Sequence, residues 1–324
     1  MLNCAVLSFL IVLISIYWIV KKIYAYYGSK PLTKLNERYI FITGCDSGFG
    51  RVSALKFHSM NIQVIAGCLT EEGKNCMIKN GIKSIIIDVR DGKSVDDAVK
   101  YVENLLPSNR GLWSLINNAG ILDPMGHTDW LNINDYRDVF EVNTFGLIQT
   151  SLKFLHLIKK DKGRIINVSS CAGRCALPFT GPYSSSKHAV EGFSDCLRRE
   201  MKDWGVSVHI IEPGAFKTSI LNIQHKLLER FSKLSSHLHK HYGKEYQEKF
   251  LDSFQKSCEK DCTTDLGFLV DCYVHAVTAK IPKYRYVVGR GSYLLGFLGS
   301  HIEETIVDMF LNVISEYPKP KIGI

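Results

Sequence analysis

Six short apolar, β-branched stretches recur along the chain: "RYIFITG" (38–44), "IQVIAG" (62–67), "SIIIDV" (84–89), "LWSLINNAG" (112–120), "GRIINVSS" (163–170) and "VSVHIIEPG" (206–214). Each is bounded by glycine, polar or turn residues, and "YRYVVG" (284–289) offers a seventh. Segments of helical length lie between them, at 49–60, 92–106, 134–160 and 183–203. Strands that are apolar almost throughout must be covered on both faces, and the intervening helices supply that cover. The pattern predicts an α/β fold: a doubly wound parallel sheet of Rossmann type, about seven strands, with helices on both faces. Ligands of such sheets bind beyond the carboxyl ends of the strands, so the residues just after each strand carry the functional information.

Composition narrows the setting. The 324 residues are 46% hydrophobic and 22% charged, values of an ordinary globular protein. The net charge is +8, but the basic residues are scattered through helical stretches without the long run that nucleic-acid binding asks for. A basic surface facing anionic lipid is the simpler reading. Residues 4–20 carry no charge, and Lys21 and Lys22 follow at once. With no basic start and no small-residue cleavage site, the segment reads as an uncleaved membrane anchor. Positive charge on its C-terminal side (Lys21, Lys22, Lys30, Lys34) places the remainder in the cytosol. The expected layout is an anchor at 1–22, a linker at 23–36, the sheet domain at 37–290 and an apolar extension at 291–324. Residues 215–282 interrupt the alternation just past a strand end and read as a helical, substrate-covering lid.

The ten cysteines form no regular framework, and "HLHKH" (His237, His239, His241) lacks nearby acids or thiols, so no metal is expected. The first strand runs into "TGCDSGFG". Its Gly44, Gly48 and Gly50 allow a sharp turn that brings backbone N–H groups near a pyrophosphate, beside the N-terminus of the next helix. In "GPYSSSKHAVEG", Tyr183 and Lys187 stand one helical turn apart, where an ammonium favours the ionised phenol. Ser184, Ser185 and Ser186 between them read as helix filler.

With "TGCDSGFG", "NNAG" (117–120), Asn143, "NVSS" (167–170) and Tyr183-x-x-x-Lys187 in this order, the chain resembles the short-chain dehydrogenase/reductase family over roughly residues 36–290. "CLTEEG", "GFSDCLRREM" and "IEPGAFKT" are similar to its retinol and hydroxysteroid dehydrogenase branch, which includes membrane-anchored enzymes. The resemblance implies an oxidoreductase in which Tyr183 is the acid/base, Lys187 tunes it and holds the nicotinamide ribose, Ser170 positions the reacting oxygen, and Asn143 supports the proton path. It also implies a cofactor site of Gly44, Ser47, Gly48, Phe49 and Gly50 at the pyrophosphate. Asp88 and Val89 fall at the adenine, and Asn118, Ala119 and Gly120 beside the ribose. Pro213, Gly214 and Thr218 approach the nicotinamide.

The end of the second strand, where an acid commonly selects NAD, holds Cys68, Leu69 and Thr70 instead, followed by Glu71 and Glu72. Two acids and no well-placed cation favour NAD over NADP, with Arg51 read as facing solvent. The expected substrate is a lipophilic alcohol, retinol or a hydroxysteroid, drawn from a membrane. A 3-hydroxybutyrate dehydrogenase-like enzyme is the alternative, needing a cation such as Lys217 or Lys226 for its acid. A non-catalytic dinucleotide-binding protein is a further alternative, and homodimerisation is left open.

Overall fold

The computed structural model describes residues 4–314 and Pro318. Residues 1–3 of the expected anchor, and 315–324 of the expected extension apart from Pro318, lie outside the described residues. Seven strands form one sheet: β1 (Tyr39–Thr43), β2 (Gln63–Cys68), β3 (Lys83–Ile86), β4 (Ser114–Asn117), β5 (Arg164–Val168), β6 (Ser207–Pro213) and β7 (Arg285–Val288). Their order is β3-β2-β1-β4-β5-β6-β7, and every pairing is parallel. The strand order reverses between β1 and β4, so the loops after these two strands flank a crevice at the carboxyl edge.

Twelve helices accompany the sheet among the described residues: α1 (Cys4–Gly28), α2 (Gly48–Ser59), α3 (Glu71–Lys79), α4 (Gly92–Leu105), α5 (Ile133–Phe140), α6 (Leu147–Lys160), α7 (Gly181–Glu200), α8 (Gln224–Ser232), α9 (Ser236–Asp261), α10 (Gly267–Thr278), α11 (Ser292–His301) and α12 (Glu304–Ile314). Their starts are encoded locally. Thr70 accepts from the Gly73 N–H to cap α3, Asp91 caps α4 through Lys93, and Asn132 with Asp135 forms a capping box on α5. One apolar core lies between the sheet and α2 and α10, around Ile40, Ile42, Phe57, Tyr273 and Val277. The other lies beneath α4, α6 and α7, around Phe41, Leu115, Phe154 and Val208.

Three segments depart from the sequence pattern. The helix expected over 134–160 is broken by a π-helical turn, Glu141–Gly146, between α5 and α6. Of the stretch 215–282, α10 belongs to the core: Leu269, Val270, Tyr273, Ala276 and Val277 are buried against the sheet side of α2. The N-terminal helix runs on to Gly28 rather than ending at the lysines. Ser8–Gly28 is long and apolar enough to cross a membrane, and its apolar 18-residue stretch has none of its residues buried in the protein. Beyond it the chain docks at once, with the Leu32 N–H donating to Thr278 and the Lys280 N–H to Lys30.

Candidate active site

The turn after β1 is built from glycine for steric reasons. Gly44 has φ +72° and Gly48 φ +52°, and a Cβ at Gly50 would collide with the Gly44 carbonyl oxygen. Asn118 locks this turn to the end of β4. Its side-chain amide donates to the carbonyls of Thr43 (2.9 Å) and Gly44 (3.2 Å), and its carbonyl accepts from the Tyr273 hydroxyl (2.9 Å). The Asn118 and Ala119 N–H groups both donate to the Thr43 hydroxyl at 3.0 Å. The segment after β6 closes over the same turn: Ser47 and Ser219 share a 2.8 Å hydrogen bond, Thr218 packs over Gly48, and the Phe49 and Phe216 rings meet edge to face. Gly44, Ser47, Gly48, Phe49, Gly50, Asn118, Ala119 and Thr218 therefore converge. Asp88 and Val89 lie just past β3. The Asp88 carboxylate is committed to Arg90, which holds it below the usual carboxylate range, so its side chain is turned to a neighbour. Pro213 and Gly214 end β6, where the Gly214 N–H donates to Val288 (2.7 Å).

Tyr183, Lys187, Ser170 and Asn143 meet at the next step along the carboxyl edge. Ser170 follows β5, accepts from the Ala172 N–H (3.1 Å) and donates to the Pro213 carbonyl (3.4 Å). Burial pushes Tyr183 up to about 12 and outweighs the downward pull of Ser170. The buried Lys187 donates to the Val168 carbonyl (2.9 Å), and its ammonium lies 5.7 Å from the Tyr183 ring centre. Burial lowers Lys187 to about 8, opposed by Glu191 one turn below.

Asn143 is fully buried inside the π-helical turn. The extra residue in that turn re-aims the side chain off the α5–α6 face. Its amide exchanges hydrogen bonds with Ile121, accepting from the N–H (2.8 Å) and donating to the carbonyl (2.9 Å), and donates to the Ser186 hydroxyl (3.0 Å). A Cβ placed on Gly120 would lie 3.2 Å from the Asn143 oxygen and 3.5 Å from the Lys187 ammonium, so this glycine keeps open the space between them.

Several contributing residues escape the sequence reading. Ser186 is fully buried and ties Asn143 to the Tyr183 carbonyl, donating to the latter at 2.7 Å, so it is part of the site and not filler. Arg51 is only partly turned to solvent: it is half-buried, its guanidinium folds back onto the Asp46 carbonyl, and its Nε is buried without a partner. Beneath Lys187, Arg285 joins Glu191, Asp195 and Glu212, and Arg174 adds a second cation 3.4 Å from Glu212. This hub joins α7 to the end of β6. No signal in the sequence pairs an arginine at the start of β7 with an acid on α7, because the pairing spans 94 residues.

Over the carboxyl edge, α8 and α9 build a small core of their own from Met125, Trp130, Leu227, Phe231, Tyr246 and Phe250. His127 sits among these rings, 4.8 Å from Trp130 and 4.7 Å from Phe179, and shares a hydrogen bond of 2.5 Å with the Tyr246 hydroxyl. Burial lowers its pKa against an upward pull from Asp129, which favours the neutral ring. Lys226, one of the two cations considered for an anionic substrate, is paired with Asp123 at 3.3 Å; Lys217 is exposed.

A glycine cradle at a topological switch point, a helix N-terminus beside it and a tyrosine–lysine pair one strand along fit a nicotinamide dinucleotide. Fold and site together define a dinucleotide-dependent oxidoreductase. Residues 38–227 match the family described as short chain dehydrogenase. The chain is 40% identical over 301 residues to human "Dehydrogenase/reductase SDR family member 9", covering 91% of this chain and 93% of that one. It is 36% identical to rat "17-beta-hydroxysteroid dehydrogenase type 6", covering 96% and 98%. With rat "Retinol dehydrogenase 7" it shares 38% identity, covering 80% and 83%. A short-chain dehydrogenase from Streptomyces avermitilis has the same fold, with a TM-score of 0.66 at 22% identity over 84% of this chain and 95% of that one. The chain belongs to the short-chain dehydrogenase family, in the branch of these relatives, and is an alcohol oxidoreductase.

Proposed function

We propose that the protein oxidises a lipophilic alcohol, of the retinol or hydroxysteroid class, with NAD, from an endoplasmic reticulum membrane with its catalytic domain in the cytosol. The convergence of Ser170, Tyr183, Lys187 and Asn143 beside the glycine turn, under an aromatic cover, carries this reading. Bound NAD supplies the hydride acceptor and a positive ring charge. In this proposal Gly44, Ser47, Gly48, Phe49, Gly50 and the N-terminus of α2 hold the pyrophosphate. Asp88 and Val89 border the adenine, Asn118, Ala119 and Gly120 the ribose, and Pro213, Gly214 and Thr218 the nicotinamide.

Ser170 holds the alcohol oxygen, and Tyr183 takes its proton. With Lys187 already beside it the Tyr183 phenol stands near 12, a poor base at neutral pH, so the positive ring of the bound cofactor is needed to bring it down. Lys187 also passes the proton outward through the space kept open by Gly120, with Asn143 holding the Ile121 main chain in place. The apolar cover suits a hydrophobic substrate, and relatives named for retinol and hydroxysteroids support the class. The pairing of Lys226 with Asp123 weighs against a small hydroxy acid.

The test supplies membranes carrying the protein with all-trans-retinol, androsterone, oestradiol and 3-hydroxybutyrate, each with NAD or NADP. Turnover of a retinoid or steroid with NAD is expected. Turnover of 3-hydroxybutyrate alone, or preference for NADP, would overturn the corresponding half of the proposal. Glycosylation of an acceptor site introduced after residue 36 would place the domain in the lumen instead.

A further inference from the structure

The NAD reading leaves an acid to be found. The carboxyl end of β2 is neutral, and the two glutamates that follow are both exposed. Glu71 is turned along the outside of α3 to Lys74, 3.3 Å away. A different carboxylate occupies this place. Asp46, from the turn after β1, reaches across to the end of β2 and accepts from the N–H groups of Leu69 (2.8 Å) and Thr70 (2.9 Å) and from the Thr70 hydroxyl (2.7 Å). Gly73 leaves room for it: a Cβ there would lie 2.5 Å from the Asp46 Oδ1.

A carboxylate offers about four acceptor positions. Oδ1 receives both Thr70 donors and Oδ2 receives one, the Leu69 N–H. One position on Oδ2 is left, on a half-buried side chain at the mouth of the glycine turn. The neighbouring cation, Arg51, is half-buried and spends its guanidinium on the Asp46 main-chain carbonyl.

Resting on the NAD reading above, we propose that Asp46 is the cofactor-selecting residue. Its free acceptor position takes the 2′-hydroxyl of the adenosine ribose, and its charge repels a 2′-phosphate. The acid that selects NAD thus comes from the glycine turn, across the crevice, and not from the end of the second strand. Glu71 and Glu72 contribute little.

The experiment uses the full chain in detergent and reads binding as well as turnover. Displacement of NADH fluorescence gives affinities for 5′-AMP, 2′-deoxy-5′-AMP and adenosine 2′,5′-bisphosphate. A hydrogen bond to a charged acceptor predicts that the wild-type protein binds 5′-AMP roughly tenfold or more tightly than its 2′-deoxy analogue. In Asp46→Asn this gap closes to under about threefold, and the preference for NADH over NADPH falls by roughly tenfold or more. Glu71→Gln/Glu72→Gln leaves both ratios within about twofold, as exposed charges do. Equal binding of the two monophosphates by the wild-type protein overturns the assignment even where the variant fails to fold. So does an Asp46→Asn protein whose NADH and NADPH affinities change by the same factor, which would make Asp46 a loop brace. A wild-type protein that itself prefers NADPH overturns the NAD reading instead, a separate outcome.

Discussion

The two regions that meet over the carboxyl edge are held together by different means. The nucleotide side is tied by short polar contacts between buried main chain and side chains: Asn118 on Thr43 and Gly44, Asn143 on Ile121, Lys187 on Val168. The cover, α8 and α9, is built round an aromatic core with polar ties at its rim, such as Arg230 to Asp135 (2.8 Å) and Lys226 to Asp123 (3.3 Å), and α9 is kinked at Gly243 (φ +67°). Polar contacts fix position to within a few tenths of an ångström, whereas an aromatic cluster tolerates re-packing at modest cost. The contrast separates the roles. In the proposed reading, one side positions atoms for proton transfer and the other adapts to the shape of a substrate.

The sharpest way to break that separation is at Tyr183. Tyr183→Phe is expected to lower turnover by about 10³-fold with NADH binding unchanged; full turnover would remove the proposed acid/base. Lys187, lowered to about 8, gives up its proton well before Tyr183, raised to about 12. Alcohol oxidation needs the deprotonated phenol, so its rate rises with pH towards that upper value, while carbonyl reduction falls. A flat profile for both directions would contradict the pairing.

Next is the ionic hub beneath the lysine. Arg285→Met leaves Glu191 and Glu212 buried without their shared cation, at a cost of about 3–5 kcal/mol. A thermal midpoint lowered by roughly ten degrees is expected; an unchanged midpoint would show the hub to be stability-neutral. On the cover, Phe250→Ala removes a buried ring at a local cost of about 3–5 kcal/mol. The expected result is a KM for lipophilic alcohol raised ~10-fold, with NADH affinity and the main melting transition nearly unchanged. Loss of NADH affinity would instead join the two regions into one unit. Smallest is Ser186→Ala, which removes one hydrogen bond to Asn143 and lowers turnover by about fivefold. No change in rate would return Ser186 to filler.

The sheet was readable because its signals are local. Each strand is a short apolar run, and the glycine turn and the Tyr183–Lys187 spacing each lie within a dozen residues. What could not be read depends on register and distance. Helical periodicity cannot reveal a π-helical turn at Glu141–Gly146, so the sequence places Asn143 on a helix without saying which way it points. Asp46 lies inside the glycine motif itself. Its carboxylate acquires meaning only because β2 pairs beside β1 and brings Leu69 and Thr70 within reach. For the same reason α10 was taken with the cover: its burial follows from where the sheet places α2, and not from its own composition.

The docking of the chain just after α1 has a consequence for traffic. Leu32 and Lys30 are fastened to Thr278 and Lys280, beside the amino ends of β4 and β5, where Trp113 donates to Val277 and Arg164 to Ala276 and Ala279. Tyr183 stands at the opposite end of the strands, which at five residues measure about 17 Å. On the proposed reading, with α1 in a bilayer and a lipophilic alcohol as substrate, the protein is moored by its floor. The alcohol must climb the height of the sheet or arrive from the aqueous side to reach Tyr183, which makes hand-over, and not only fit, a step that selects among alcohols.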